Sequence, residues 1–179
     1  MKATGVVRRI DDLGRIVIPK EIRRTMRIRE GDPLEIFTDK DGGVVFKKYS
    51  LMGGLSDFAG QMCETLSKLS GLTAVITDRD SVLSVSGACR KELSERSVSE
   101  ELEKIMEGRQ LYVVQDGQSQ VAICRDSEQY RAMVCAPILS GGDVLGSVLF
   151  VQEEGKTAGD AEVKMIQTAA GFLSRHMEA

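Results

Sequence analysis

Five arginines near the start of the chain, Arg8, Arg9, Arg15, Arg23 and Arg24, are the side chains with the most chemistry to offer. A guanidinium presents a planar fork of donors that meets phosphate or guanine bidentately, which a lysine ammonium cannot do. The charge around them is lopsided. Residues 1–50 hold 12 Lys and Arg against 8 Asp and Glu, whereas residues 51–179 hold 12 against 19. A basic arm on an acidic body calls for an anionic partner, with nucleic acid as the leading candidate. The aromatic residues of that arm are Phe37, Phe46 and Tyr49, all late in it. With no platform for stacking unpaired bases, double-stranded DNA is the expected target rather than single strands or RNA.

Catalysis is hard to build from the remaining residues. The single histidine, His176, stands three residues from the C-terminus, and no G-x-S-x-G, P-loop or G-x-G-x-x-G motif follows a strand. Asp11 with Asp12, and Asp78 with Asp80, read as turn acids rather than catalytic pairs. The expectation is a non-enzyme. Cys63, Cys89, Cys124 and Cys135 lie far apart without a C-x-x-C. That spacing predicts reduced, mostly buried thiols, with neither a zinc site nor a disulfide framework, and no metal or cofactor is expected.

Composition is that of an ordinary globular chain, 42% hydrophobic and 28% charged over 179 residues. No run of 18 apolar residues is present, so no membrane-spanning helix is expected. The opening MKATGVVRRIDDLGR lacks the apolar core of a signal peptide, which predicts a cytoplasmic protein.

The elements that position the arginines follow from local pattern. Thr4–Ile10 is β-branched and runs into the turn signal Asp11-Asp12-Leu13-Gly14, after which Arg15–Ile18 reads as a second strand. Arg8 and Arg9 then leave opposite faces of a strand. Pro19 suits the first turn of a short helix over Lys20–Met26. Gly31-Asp32-Pro33 ends anything helical. Leu34–Phe37 and Val44–Lys48 form a hairpin around Asp39–Gly43. Lys47 and Lys48, at the end of that hairpin, are expected to be solvated. A unit this small is short of core, since ~60 residues bury only about 60% of their unfolded surface. Two copies sharing one core would solve the shortage, so an obligate homodimer through residues 1–50 is predicted.

The string TGVVRRIDDLGRIVIPKEIRRTMRIREGDPLEIF, with its D-x-L-G-R-I-V-I-P core, E-I-R-R and G-D-P-L-E-I-F, resembles the swapped-hairpin DNA-binding domain of the AbrB-type transition-state-regulator family. The resemblance implies an N-terminal swapped-hairpin β-barrel dimer. It implies that Arg8, Arg15, Arg23 and Arg24 contact DNA, with Arg9 where relatives carry another basic residue. It also implies a sequence-specific transcriptional regulator, activator and repressor of sporulation genes. The alternative is an antitoxin-like interaction protein with the same N-terminal fold; antitoxins normally carry a disordered tail, whereas residues 55–179 read as globular.

Residues 51–54 are expected to be a linker. Beyond them, Leu55, Phe58, Met62, Leu66 and Leu69 stripe a helix ended by Gly71. Leu72–Thr77 and Val82–Val85 flank a turn, and Ser97–Arg109 is helical with Ser99 or Ser97 as cap. Four strands follow, at 111–114, 121–124, 131–139 and 144–151, and then a helix carrying Val163, Ile166, Ala170, Leu173 and Met177. This layout predicts an α+β unit, an antiparallel sheet with its helices gathered on one side, similar to a GAF domain. GAF-like domains commonly bind a small molecule, and Cys89, Cys124, Cys135 and Met133 are candidates either to line such a pocket or to fill a solid core. The helices near 55–70 and 160–177 leave apolar surface for a second contact, which would make a homotetramer.

Overall fold

The computed structural model describes residues 5–115 and 120–177, and the chain divides into two compact units, 1–49 and 50–179.

In the first unit, α1 spans Lys20–Met26. Pro19 sits at its N-cap, one position before the first-turn place expected, and its carbonyl accepts the Arg23 N–H at 2.9 Å. The helix stops where Arg27 turns left-handed (φ 53°), which lets the Ile28 N–H reach back to the Arg23 carbonyl at 2.8 Å. The strands β1 (Leu34–Thr38) and β2 (Val44–Lys48) pair antiparallel, with Ile36 opposite Phe46 and Thr38 opposite Val44. Their loop is held by Asp39, whose carboxylate accepts the N–H groups of Asp41 and Gly43. The strands expected at 4–10 and 15–18 do not form a ladder among the described residues. A strand needs a neighbour, and in this unit β1 and β2 pair with each other. No residue from 5 to 49 is buried.

The second unit opens with a 3₁₀ turn, Leu51–Leu55. The expected linker at 51–54 is therefore structured, and Met52, only 1% exposed, is packed into the core. Helix α2 (Ser56–Ser70) ends at Gly71, whose φ of 67° supplies the left-handed cap. A hairpin of β3 (Ala74–Asp78) and β4 (Val82–Ser86) follows, then the short α3 (Arg90–Leu93), which the sequence pattern did not announce. Helix α4 (Glu100–Gly108) is capped by Ser99, whose hydroxyl accepts the Leu102 N–H at 2.9 Å. The strands β5 (Tyr112–Val113), β6 (Ala122–Cys124), β7 (Ser127–Ser140) and β8 (Asp143–Val151) lead to α5 (Asp160–His176).

The sheet runs β4-β3-β8-β7-β5, with β6 also on β7, and every pairing is antiparallel. Strand alternation gives it two apolar faces. Ala74, Ile76, Val148 and Phe150 face α2 and α5; Val75, Leu149 and Val151 face Leu93 of α3 and Leu102 and Met106 of α4. Helices thus cover both sides, contrary to the one-sided expectation, because β3 and β8 are apolar at consecutive positions rather than alternate ones. Gly146 fixes how closely β8 approaches β3, since a Cβ there would run into the Thr77 carbonyl. Buried Thr77 and Ser147 satisfy each other across that same seam at 2.8 Å. Among the described residues, no helix is long and apolar enough to cross a membrane.

Candidate nucleic-acid interface

All five candidate arginines lie in the first unit, and none is buried. Arg8 and Arg9 are exposed on the extended segment before the Asp11 turn, without the strand pairing that was expected to send them to opposite faces. Arg23 and Arg24 are adjacent on α1, where Arg24 is exposed and Arg23 half-buried. Arg15 is the best defined. Its side chain is 69% exposed, and its Nε donates to Asp11 Oδ2 at 2.8 Å. The turn is what brings Arg15, four residues on, to Asp11.

Asp11 organises that turn. Its Oδ1 accepts the N–H groups of Leu13 (3.1 Å) and Arg15 (2.8 Å), while its own N–H donates to the Arg15 carbonyl at 3.0 Å. Gly14 closes the loop at φ 76°, a conformation that glycine adopts without strain. These bonds, the Arg15 backbone N–H first and its guanidinium second, hold the Asp11 carboxyl below its ordinary value. The pattern D-x-L-G-R carried this signal: an acid opening a turn and a cation four residues later.

Of the two lysines at the end of β2 that were expected to be solvated, Lys47 is exposed and Lys48 is half-buried. Lys48 Nζ donates to the Arg27 carbonyl at 2.7 Å and pairs with Asp32 at 3.7 Å, while Asp32 accepts the Arg29 N–H. Lys48 therefore ties the end of α1, the Gly-Asp-Pro turn and the hairpin together. Lys47 sits over the Phe37 ring, 4.7 Å from its centroid.

In the second unit the four candidate pocket or core residues do not share one face. A register irregularity in β7 between Ala132 and Val134 puts Met133 on the α2/α5 face, while Cys124 and Cys135 lie on the α4 face. Burial pushes the Cys63 and Cys135 thiols up to about 12 and Cys124 to about 11. Cys89 is half-buried, and all four are free thiols. Among the described residues, no group of three or more His, Cys, Asp or Glu is placed to hold a metal ion. A groove of about 510 Å³ runs between α2 and α5, lined by Phe58, Met62, Leu66, Leu69, Met165 and Phe172 among others. A second hollow of about 420 Å³, bordered by Ser99, Glu101, Cys124 and Arg131, lies at the start of α4.

Comparison with known proteins assigns both units. Residues 54–178 match the family described as "Stage V sporulation protein T C-terminal, transcription factor". The chain is 48% identical over 178 residues to stage V sporulation protein T of Bacillus subtilis (strain 168), a match that covers 99% of each. The chain belongs to the stage V sporulation protein T family. As a member of the stage V sporulation protein T family, it is a DNA-binding transcriptional regulator of sporulation. Its N-terminal part is 43% identical over 77 residues to the transition state regulatory protein AbrB of the same organism, covering 43% of this chain and 78% of that one. Residues 7–51 also match the family described as "Antidote-toxin recognition MazE, bacterial antitoxin". The fold of the second unit is shared with the GAF domain of an Acinetobacter phosphoenolpyruvate-protein phosphotransferase, at 12% identity and a TM-score of 0.53, covering 73% of this chain and 84% of that one.

Proposed function

We propose that the chain reads double-stranded DNA as a swapped-hairpin homodimer, with Arg8, Arg9, Arg15, Arg23 and Arg24 of each copy facing the duplex. The observation that carries this is the composition of the first unit's surface. It combines accessible arginines with apolar side chains that nothing in the single chain covers: Val7 is 86% exposed, Ile36 62% and Val17 69%. A second copy would bury the apolar set and double the arginines about a two-fold axis, as an operator half-site pair requires. Two such dimers join into a homotetramer through α2 and α5, where Leu69 and Phe172 stand 73% and 51% exposed beside the apolar groove. A small molecule at the GAF-like unit tunes the assembly, and the protein acts in the cytoplasm, without catalysis, as activator and repressor. The antitoxin reading draws on the match over residues 7–51, but it needs a toxin-wrapping tail. Residues 50–179 instead form a sheet with an apolar core on each face.

Salt titration of DNA binding tests the arginine assignment. Ten arginines per dimer set a ceiling of about −9 on the slope of log K against log salt, and the contact set should give roughly half of that. Arg15→Ala and Arg23→Ala should each weaken binding and flatten the slope while the melting curve holds. Normal binding by both variants would place the DNA elsewhere.

A further inference from the structure

We infer that Asp11 is a positioning residue for DNA recognition: its carboxylate occupies the Nε edge of Arg15 and so dictates which edge of that guanidinium is offered to a base. The inference rests on the proposed role of Arg15 and adds a residue of the opposite charge to it. A flexible arginine has three donor edges and many rotamers, and freezing one of them on binding costs affinity. In this turn the freezing has been done beforehand. Asp11 Oδ2 takes the Arg15 Nε–H at 2.8 Å, while Oδ1 is held by the N–H groups of Leu13 and Arg15. With both carboxylate oxygens engaged inside the loop, the acid has no freedom to swing away. The bond to Asp11 uses Nε and leaves the two Nη nitrogens for another partner, on a side chain still 69% exposed. An end-on pair of N–H groups is the geometry that meets guanine O6 and N7 together. The carboxylate has a second effect: a negative charge beside the fork weakens its attraction to any phosphate that merely passes. Specific contact therefore gains at the expense of non-specific contact.

The two jobs of Asp11, shaping the turn and aiming Arg15, separate chemically. Asparagine retains an oxygen that can accept both backbone N–H groups, but it offers an NH₂ to Nε, which is itself a donor. Asp12 stands one residue away, is exposed and supplies the charge control. The experiment uses the full-length chain and two DNA probes: duplexes enriched by the wild-type protein from a randomised double-stranded library, and the unselected library itself. The readout is the ratio of affinities for the two probes. Asp11→Asn should lower that ratio about tenfold. Affinity for the unselected pool should hold or rise, and the salt slope should stay that of the wild type. Asp12→Asn, which removes the same formal charge, should leave the ratio unchanged. In an Arg15→Lys background, where no Nε exists, Asp11→Asn should lower the ratio no further. If asparagine loosens the turn, Asp11→Ser is the substitute, because a serine hydroxyl can accept the Leu13 N–H but is too short to reach Nε. An unchanged ratio in Asp11→Asn, or an equal fall on the Arg15→Lys background, overturns the inference even when Arg15→Ala has lost discrimination. Should Arg15→Ala keep the wild-type ratio, the proposed role of Arg15 fails first.

Discussion

The two units of this chain solve the problem of stability in opposite ways. Residues 50–179 bury apolar side chains on both faces of one sheet, with Phe150, Ile76, Leu149 and Leu102 among those essentially out of contact with solvent. Residues 5–49 bury none. Of the fifteen large apolar side chains exposed among the described residues, twelve belong to the first unit. A monomer with that surface would be a marginal fold and an aggregation hazard. The difference teaches that only the second unit is complete as a single chain. What holds the first together internally is polar: the Asp11 turn, the Asp39 loop and the Lys48 clamp.

The sharpest way to break that comparison is to place a charge where the first unit shows its apolar face. Ile36 lies opposite Phe46 in the hairpin and is 62% exposed. For a surface residue, Ile36→Asp should change stability by less than about 0.5 kcal/mol. For a residue buried against a second copy, it strands a carboxylate in an apolar core at a cost of several kcal/mol. The expected outcome is loss of folding and of DNA binding by the first unit, with the second unit's unfolding transition untouched. Calorimetry of the full chain, read against protein concentration, checks this, since a dimeric wild-type transition moves up with concentration by mass action.

Smaller, and directed at the other unit, is the response to alkali. Cys63 and Cys135 titrate from an ordinary 9.0 to about 12 when folded. The sign follows from proton counts. Above pH 9 the unfolded chain has lost protons that the folded chain keeps, so stability is full below 9 and declines toward the folded values. Each such thiol contributes up to about 1.4 kcal/mol per pH unit over that window. The second unit's denaturant midpoint should hold below about pH 9 and fall from there toward 12, and Cys63→Ala with Cys135→Ala should flatten the decline. The first unit, which has no cysteine, escapes that term. Its own shifted group, Asp11, acts at the other end: with its carboxyl held below 3.8, it stabilises above that value and stops doing so as the pH falls through the folded value.

Legibility in the sequence followed the range of the interactions. Helix α1 was readable to the residue, the β1–β2 hairpin to within one residue and the cap of α4 to one of two serines, because each is decided by groups within a few positions of one another. The turn at Asp11-Asp12-Leu13-Gly14 was readable for the same reason, since its residues are contiguous. Distant partners defeated the pattern. Met133 and Val134 share a face because of a register irregularity against β8. Met52 reads as linker beside two glycines, yet packs into a core that also takes in β7, β8 and α5, far along the chain. Helices on both sides of the sheet required knowing that β3 and β8 are central strands, where a continuous apolar run is two faces rather than one.

The smallest effect concerns neighbouring residues that the sequence makes look equivalent. Lys47 and Lys48 alternate across β2, so one side chain leaves each face of the hairpin. Lys47 meets the Phe37 ring at 4.7 Å, an exposed cation–π contact worth about 0.5–1 kcal/mol. Lys48 instead bridges the Arg27 carbonyl and Asp32, and hydrogen bonds to a charged group run to about 1.5–3 kcal/mol, less where solvent reaches them as it does here. Lys48→Ala should therefore lower the first unit's melting midpoint measurably more than Lys47→Ala, and it should do so in the absence of DNA. Because both substitutions remove the same charge, their effects on the salt slope of DNA binding should match. If instead Lys48→Ala leaves the melt unchanged and flattens the salt slope alone, Lys48 is a phosphate contact. The polar clamp would then not be what holds the first unit's single-chain fold together.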